Sequence, residues 1–160
     1  MPELPNDLSS LSSTWPTELR SALLAAEPPW LDHRPQNADL SAAVIAAPDL
    51  SPSLRSALDL VAGQLDRSHT ISQNLPSAEG SFLHGIMHRR EGDYSNAKYW
   101  FRRVGTHPVM EQLAADHAEY AGAAAFVDAV ANDPKSARLI EVQSAEWRAL
   151  TRWIADAESV

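Results

Sequence analysis

The 160-residue chain contains no cysteine. That excludes a disulfide scaffold, a thiol nucleophile, an iron–sulfur cluster and a Cys-type zinc finger. No apolar run approaches the ~20 residues that a membrane span needs. The N-terminus, MPELPNDLSS, lacks the basic patch and apolar stretch of a signal peptide. The expected setting is therefore cytoplasmic, with no membrane partner. Excess positive charge is also missing. The formal net charge is −8, which argues against a general nucleic-acid binder, because polyanionic backbones are repelled. No β-branched alternating run of strand length stands out. The remaining composition, 44% hydrophobic and 21% charged, is ordinary for a globular chain long enough to bury a core as one domain.

What is present reads as helix. Residues 1–16, rich in Ser and Pro, read as a flexible or loosely docked arm, and 17–160 as a single helical domain. Thr17 can cap a helix through Leu19, Leu23 and Ala26, stopped by Pro28 and Pro29. A loop follows, with Trp30 and Leu31 packed down. Asn37 or Asp39 opens a helix through Leu40 and Val44. Ser51-Pro52 is a strong start for the apolar stripe Leu54, Ala57, Leu58, Val61 and Leu65, ending near Arg67. Residues 68–80 read as a connecting loop. Ser81–Glu91 and Tyr94–Val104 read as two helices joined by a tight Gly92-Asp93 turn. Pro108 starts another, which the Ala-rich run 121–131 either continues past a kink at Gly122 or follows. Asp133-Pro134 opens the last. The fold class is all-α, a compact bundle of six to eight helices.

The unusual chemistry is concentrated. Four of the six histidines, His69, His84, His88 and His107, lie between residues 69 and 107, and five of the eleven aromatics lie between 82 and 101. From His84 to His107, five cations (Arg89, Arg90, Lys98, Arg102, Arg103) face Glu91 and Asp93. That local +3 leaves −11 for the rest, so the island can hold an anionic group. The plainer reading is surface arginines paired with acidic helices nearby. His84, His88 and Glu91 are spaced i, i+4, i+7, on one helix face. Two imidazoles one turn apart can share a divalent metal, a carboxylate one turn on can join them, and His69 could supply a third nitrogen. Zn, Fe, Mn or Ni would suit that set. No Glu follows His84, so this is not the HExxH zinc-protease motif, and no Glu-x-x-His pair of the di-iron type occurs. The bland alternative is two histidines hydrogen-bonded within helix packing.

The segment FLHGIMHRREGDYSNAKYWFRRVGTHP resembles one tetratricopeptide unit. Gly85, Gly92, Tyr94, Ala97, Phe101 and Pro108 sit at its small, turn, aromatic and terminating positions. The resemblance implies an antiparallel helical hairpin over 81–104, and it occurs once, whereas stable arrays need about three copies. Ser81, His84 and His88 fall at inward positions of the first helix, where the repeat carries Trp, Leu and Tyr. Phe82, Leu83, Ile86 and Met87 line the opposite face. With both faces covered, the imidazoles would be buried polar groups needing partners. The longer block, SHTISQ followed by GSFLHGIMHRREGDYSNAKYWFRRVGTHP, resembles an uncharacterised family of short helical proteins from bacteria and fungi. It implies no catalytic roles.

Two functional readings follow. In the first, a polar site binds a small anionic ligand, as a metal-dependent or His-based enzyme. His84, His88 and Glu91 are its catalytic candidates, and His69, His84, His88 and Glu91 its candidate ligands for one divalent transition metal. His69, Lys98, Arg102, Arg103 and Trp100 are its ligand-binding candidates. Trp100 and Arg103 share a face (i, i+3) and Arg102 points elsewhere. In the second, a tetratricopeptide-like groove takes an acidic peptide without catalysis. Burial discriminates, since a site needs His84 and His88 enclosed and a groove needs them shallow. A third reading is a structural subunit with Trp147 and Trp153 at a homo-oligomer contact, at least one of them near the surface.

Overall fold

A computed structural model describes residues 14–26, 31–32 and 36–158. Of the expected arm over residues 1–16, residues 1–13 lie outside the described residues, as does the packing of Trp30, while Trp15 is half-buried against the core. Within them the fold is all-α, as expected, with nine helical segments and no strand. They are α1 (Thr17–Ala25), α2 (Ala38–Ala46), α3 (Pro52–Val61), α4 (Leu65–Ser72), α5 (Ala78–Glu91), α6 (Tyr94–Val104), α7 (Pro108–Asp116), α8 (Ala123–Asn132) and α9 (Ala137–Glu158). Among the described residues no helix is long and apolar enough to cross a membrane.

Side chains at the helix starts explain most boundaries. Asn37, Ser51, Ser77 and Asp93 each accept a backbone N–H from the first turn of the helix they precede, satisfying donors that have no partner inside the helix. His107 Nδ1 does the same for Val109 N at 3.2 Å. At two starts the expectation is corrected. Pro16 occupies the cap position of α1 without a side-chain hydrogen bond, and Thr17 is already helical. The last helix opens at Ala137, because Ser136 Oγ, downstream of Asp133-Pro134, accepts from Leu139 N at 3.2 Å. The Ala-rich run is a helix of its own. His117 is extended and Gly122 has φ +133°, so the chain turns sharply between α7 and α8.

The larger correction is at α3 and α4: the helix read as running to Arg67 ends at Val61, where Gly63 turns the chain, and a second helix, α4, begins at Leu65 and continues through Ser72 into the stretch read as a loop. Beyond Leu65 its inward face is Ser68 and Ser72, which carry no apolar signal. Its contact with α3 is made by hydroxyls: Ser68 Oγ donates to Ser56 O at 3.0 Å, and the two Oγ atoms lie 2.9 Å apart. A face built from satisfied serines is invisible to a search for apolar periodicity.

α5 is the axis of the molecule. It packs against α3, α4 and α6, and every residue from Phe82 to Arg90 is buried. Gly92, at φ +84°, ends it in the left-handed conformation glycine adopts without strain, and α6 folds back as a hairpin. A Cβ on Gly85 would lie 2.7 Å from Phe101 Cε1, so glycine is what lets the two helices approach this closely. α9 closes the bundle against α3 and α7. Its Trp147 is buried and donates Nε1–H to Ala57 O at 2.7 Å. Trp153 is exposed and donates to Glu79.

Candidate functional site

Three imidazoles meet where α4, α5 and α6 come together. His84 and His88, one turn apart on α5, are 2% and 6% exposed, and His69 on α4 is half-buried. The His84 and His88 rings stack with centroids 4.7 Å apart, and His69 stands edge-on to them at 4.8 and 5.4 Å. One nitrogen from each lies within 4.8 Å of the others. Trp100 of α6 stacks on His84 at 3.9 Å with the planes 13° apart. The Arg103 guanidinium lies 5.4 Å from the Trp100 ring centre. His88, His84 and Trp100 thus form a run of stacked rings, with the Arg103 guanidinium close to the Trp100 ring.

The electrostatics follow from this packing. Burial, then the neighbouring His88 and His69, pushes the His84 pKa down to about 4, because a charged imidazole would lose its hydration beside two others. His84 is therefore neutral at pH 7. Its Nδ1 is buried with no hydrogen-bond partner among the described residues. His88 Nδ1 donates to Glu91 Oε1 at 2.5 Å, with Asp93 Oδ2 4.0 Å away. A proton held on Nδ1 leaves the lone pair on Nε2. His88, Glu91 and Asp93 also form a group whose ligating atoms lie within 4.8 Å of one another.

His69, His84, His88, Glu91, Trp100 and Arg103 are thus brought together. Lys98 is not among them: its Nζ pairs with Asp128 of α8 at 2.6 Å. Arg102 is exposed and lines a separate cavity of about 370 Å³ beside Phe101, Met110 and Ala123. The basic island is also much reduced. Arg89 is fully buried, with its guanidinium bonded to both Glu146 oxygens at 2.5 and 3.1 Å and to Gln143 Oε1 at 3.0 Å. Arg90 is buried and donates to the carbonyls of Leu60 and Asp32. Burial with Arg89 alongside lowers its pKa to about 10. Two of the five cations are therefore enclosed in packing and Lys98 is taken up by an ion pair, so the expected local potential well rests on Arg102 and Arg103. His107 serves the fold, capping α7 and donating Nε2–H to Glu79 at 3.1 Å. Asp93 is the member that periodicity misses. It is five residues beyond His88, and only the left-handed turn at Gly92 carries it back.

Comparison with protein families, with curated proteins and with solved structures returns no match.

Proposed function

We propose that the protein binds one divalent transition metal through His69, His84 and His88 and uses it on a small anionic molecule. The observation that carries this is His84, a buried neutral imidazole with an unpartnered nitrogen, in a trio whose nitrogens lie within 4.8 Å of one another. A buried polar atom without a partner costs about 1–3 kcal/mol. A metal bound to the trio would remove the reason for that cost. Tetrahedral imidazole ligands, about 2.0–2.1 Å from zinc, require the rings to swivel and close by roughly an ångström from their stacked arrangement. An all-imidazole set suits Zn, Ni, Co or Fe over oxygen-seeking ions. Glu91 is then a positioning residue rather than a ligand, because its oxygen already holds the His88 Nδ1 proton. Three protein ligands leave a coordination position open for water or substrate, where the ion can polarise a bound group or acidify a water. The burial of His84 and His88 favours this over an acidic-peptide groove, which needs them shallow.

The test is metal analysis of protein expressed without a His tag, followed by titration of the stripped protein with Zn²⁺ or Co²⁺. One equivalent should bind, and His69→Ala, His84→Ala and His88→Ala should each lose it while remaining folded. Stripped wild-type protein that takes up no ion at micromolar concentration refutes the reading.

A further inference from the structure

We infer that Arg103 is the anion-recognition residue of the imidazole site and that its ligand carries a single carboxylate. This rests on the metal reading only for the extra affinity that a bound cation near the guanidinium adds for an anion. Of the five cations around the site, Arg89 and Arg90 are enclosed, Lys98 is paired with Asp128, and Arg102 lines another cavity. Arg103 alone remains beside the imidazoles. It is exposed, and its contacts among the described residues are the faces of Trp100 and Tyr99, at 5.4 and 5.9 Å. A guanidinium held near aromatic rings by cation–π attraction keeps its N–H donors available for a planar acceptor.

Trp100 connects that guanidinium to the site. One ring links Arg103 at 5.4 Å to His84 at 3.9 Å. The guanidinium is therefore no further from the His84 ring than those two spans laid end to end, within reach of one small molecule. Charge sets the class. In the metal-free protein, one guanidinium, with Glu91 and Asp93 beside His88 and a net charge of −8 overall, balances one negative charge and disfavours a dianion. Tyr99, 45% exposed beside Arg103, offers an apolar surface to the body of the ligand. A monocarboxylate with a flat apolar body fits; a phosphate ester does not.

The test is calorimetric titration with benzoate, and with inorganic phosphate for comparison. It uses the full chain stripped with EDTA and, separately, loaded with one equivalent of Co²⁺. Benzoate should bind both preparations and bind the cobalt form more tightly. Arg103→Met should weaken it at least about tenfold in both, as loss of a charge-assisted pair does, while Arg102→Met changes nothing. Arg103-dependent binding that cobalt does not tighten supports this inference and counts against the metal reading. Benzoate binding unchanged in Arg103→Met, no benzoate binding to either wild-type preparation, or phosphate bound more tightly than benzoate by the stripped protein would each overturn it.

Discussion

The Arg89–Glu146 pair couples α5, which carries two of the three imidazoles, to α9, and its energetics can be predicted closely. Both side chains are 0% exposed and the contact is bidentate, with Gln143 taking a further donor and the Phe126 ring 4.7 Å from the guanidinium. Charges this deep are stable only together. Arg89→Met removes the cation and leaves a carboxylate without water or a counter-charge, which costs about 3–5 kcal/mol. That is a large part of the roughly 5–15 kcal/mol that holds a domain folded. Glu146→Leu should cost a similar amount by stranding the guanidinium. The double variant Arg89→Met/Glu146→Leu removes both charges and refills the space. It should lie within about 2 kcal/mol of wild type, the remainder being the lost bond to Gln143 and the lost contact with Phe126. Urea unfolding of the four proteins at pH 7 measures the cycle. Single losses below about 1 kcal/mol, or a double variant equal to the sum of the singles, would refute the view that this pair is a closed, mutually dependent unit.

Three further outcomes are expected. Gly85→Ala should destabilise by about 1–3 kcal/mol in urea unfolding, because the new methyl would meet Phe101 at 2.7 Å; an unchanged midpoint would mean that α5 and α6 can separate freely. In metal-free protein the His84 pKa is about 4 when folded, against an ordinary value of 6.5, so the unfolded chain binds this proton more readily. Stability should therefore fall as pH drops from 6.5 towards 4, by up to about 3 kcal/mol. His84→Leu should flatten that part of the profile, and an unchanged slope would show that another group titrates there. Glu91→Gln should weaken metal binding about 10–100-fold without removing it, as expected of a residue that orients a ligand, whereas complete loss in a competition titration would make Glu91 a ligand itself.

Much of the fold and part of the site are legible in the residue order, and the gaps have identifiable causes. The α5–α6 hairpin follows from Gly92 between two helical patterns, and its close approach from Gly85. The face shared by His84, His88 and Glu91 follows from helical spacing. The position of Arg102, away from Trp100 and Arg103, follows from the same arithmetic. The second half of α4 reads as loop because its buried residues there, Ser68 and Ser72, are serine. Arg89 and Arg90 count as available charge because nothing local marks an arginine as buried. Their partners, Glu146 and the carbonyls of Leu60 and Asp32, are 57, 30 and 58 residues away along the chain.

Local rules act through spacing along the backbone, so the amino-acid order alone settles most of the helices, their caps and turns, and which side chains share a face. The identity of the groups that meet across helices depends on how those faces are stacked. Tertiary packing alone brought His69 to the imidazole pair, laid Trp100 on His84, withdrew Arg89 and Arg90 into the interior and left Arg103 outside. Burial and proximity set the charge state and availability of such groups, and both are properties of the assembled bundle rather than of any segment within it.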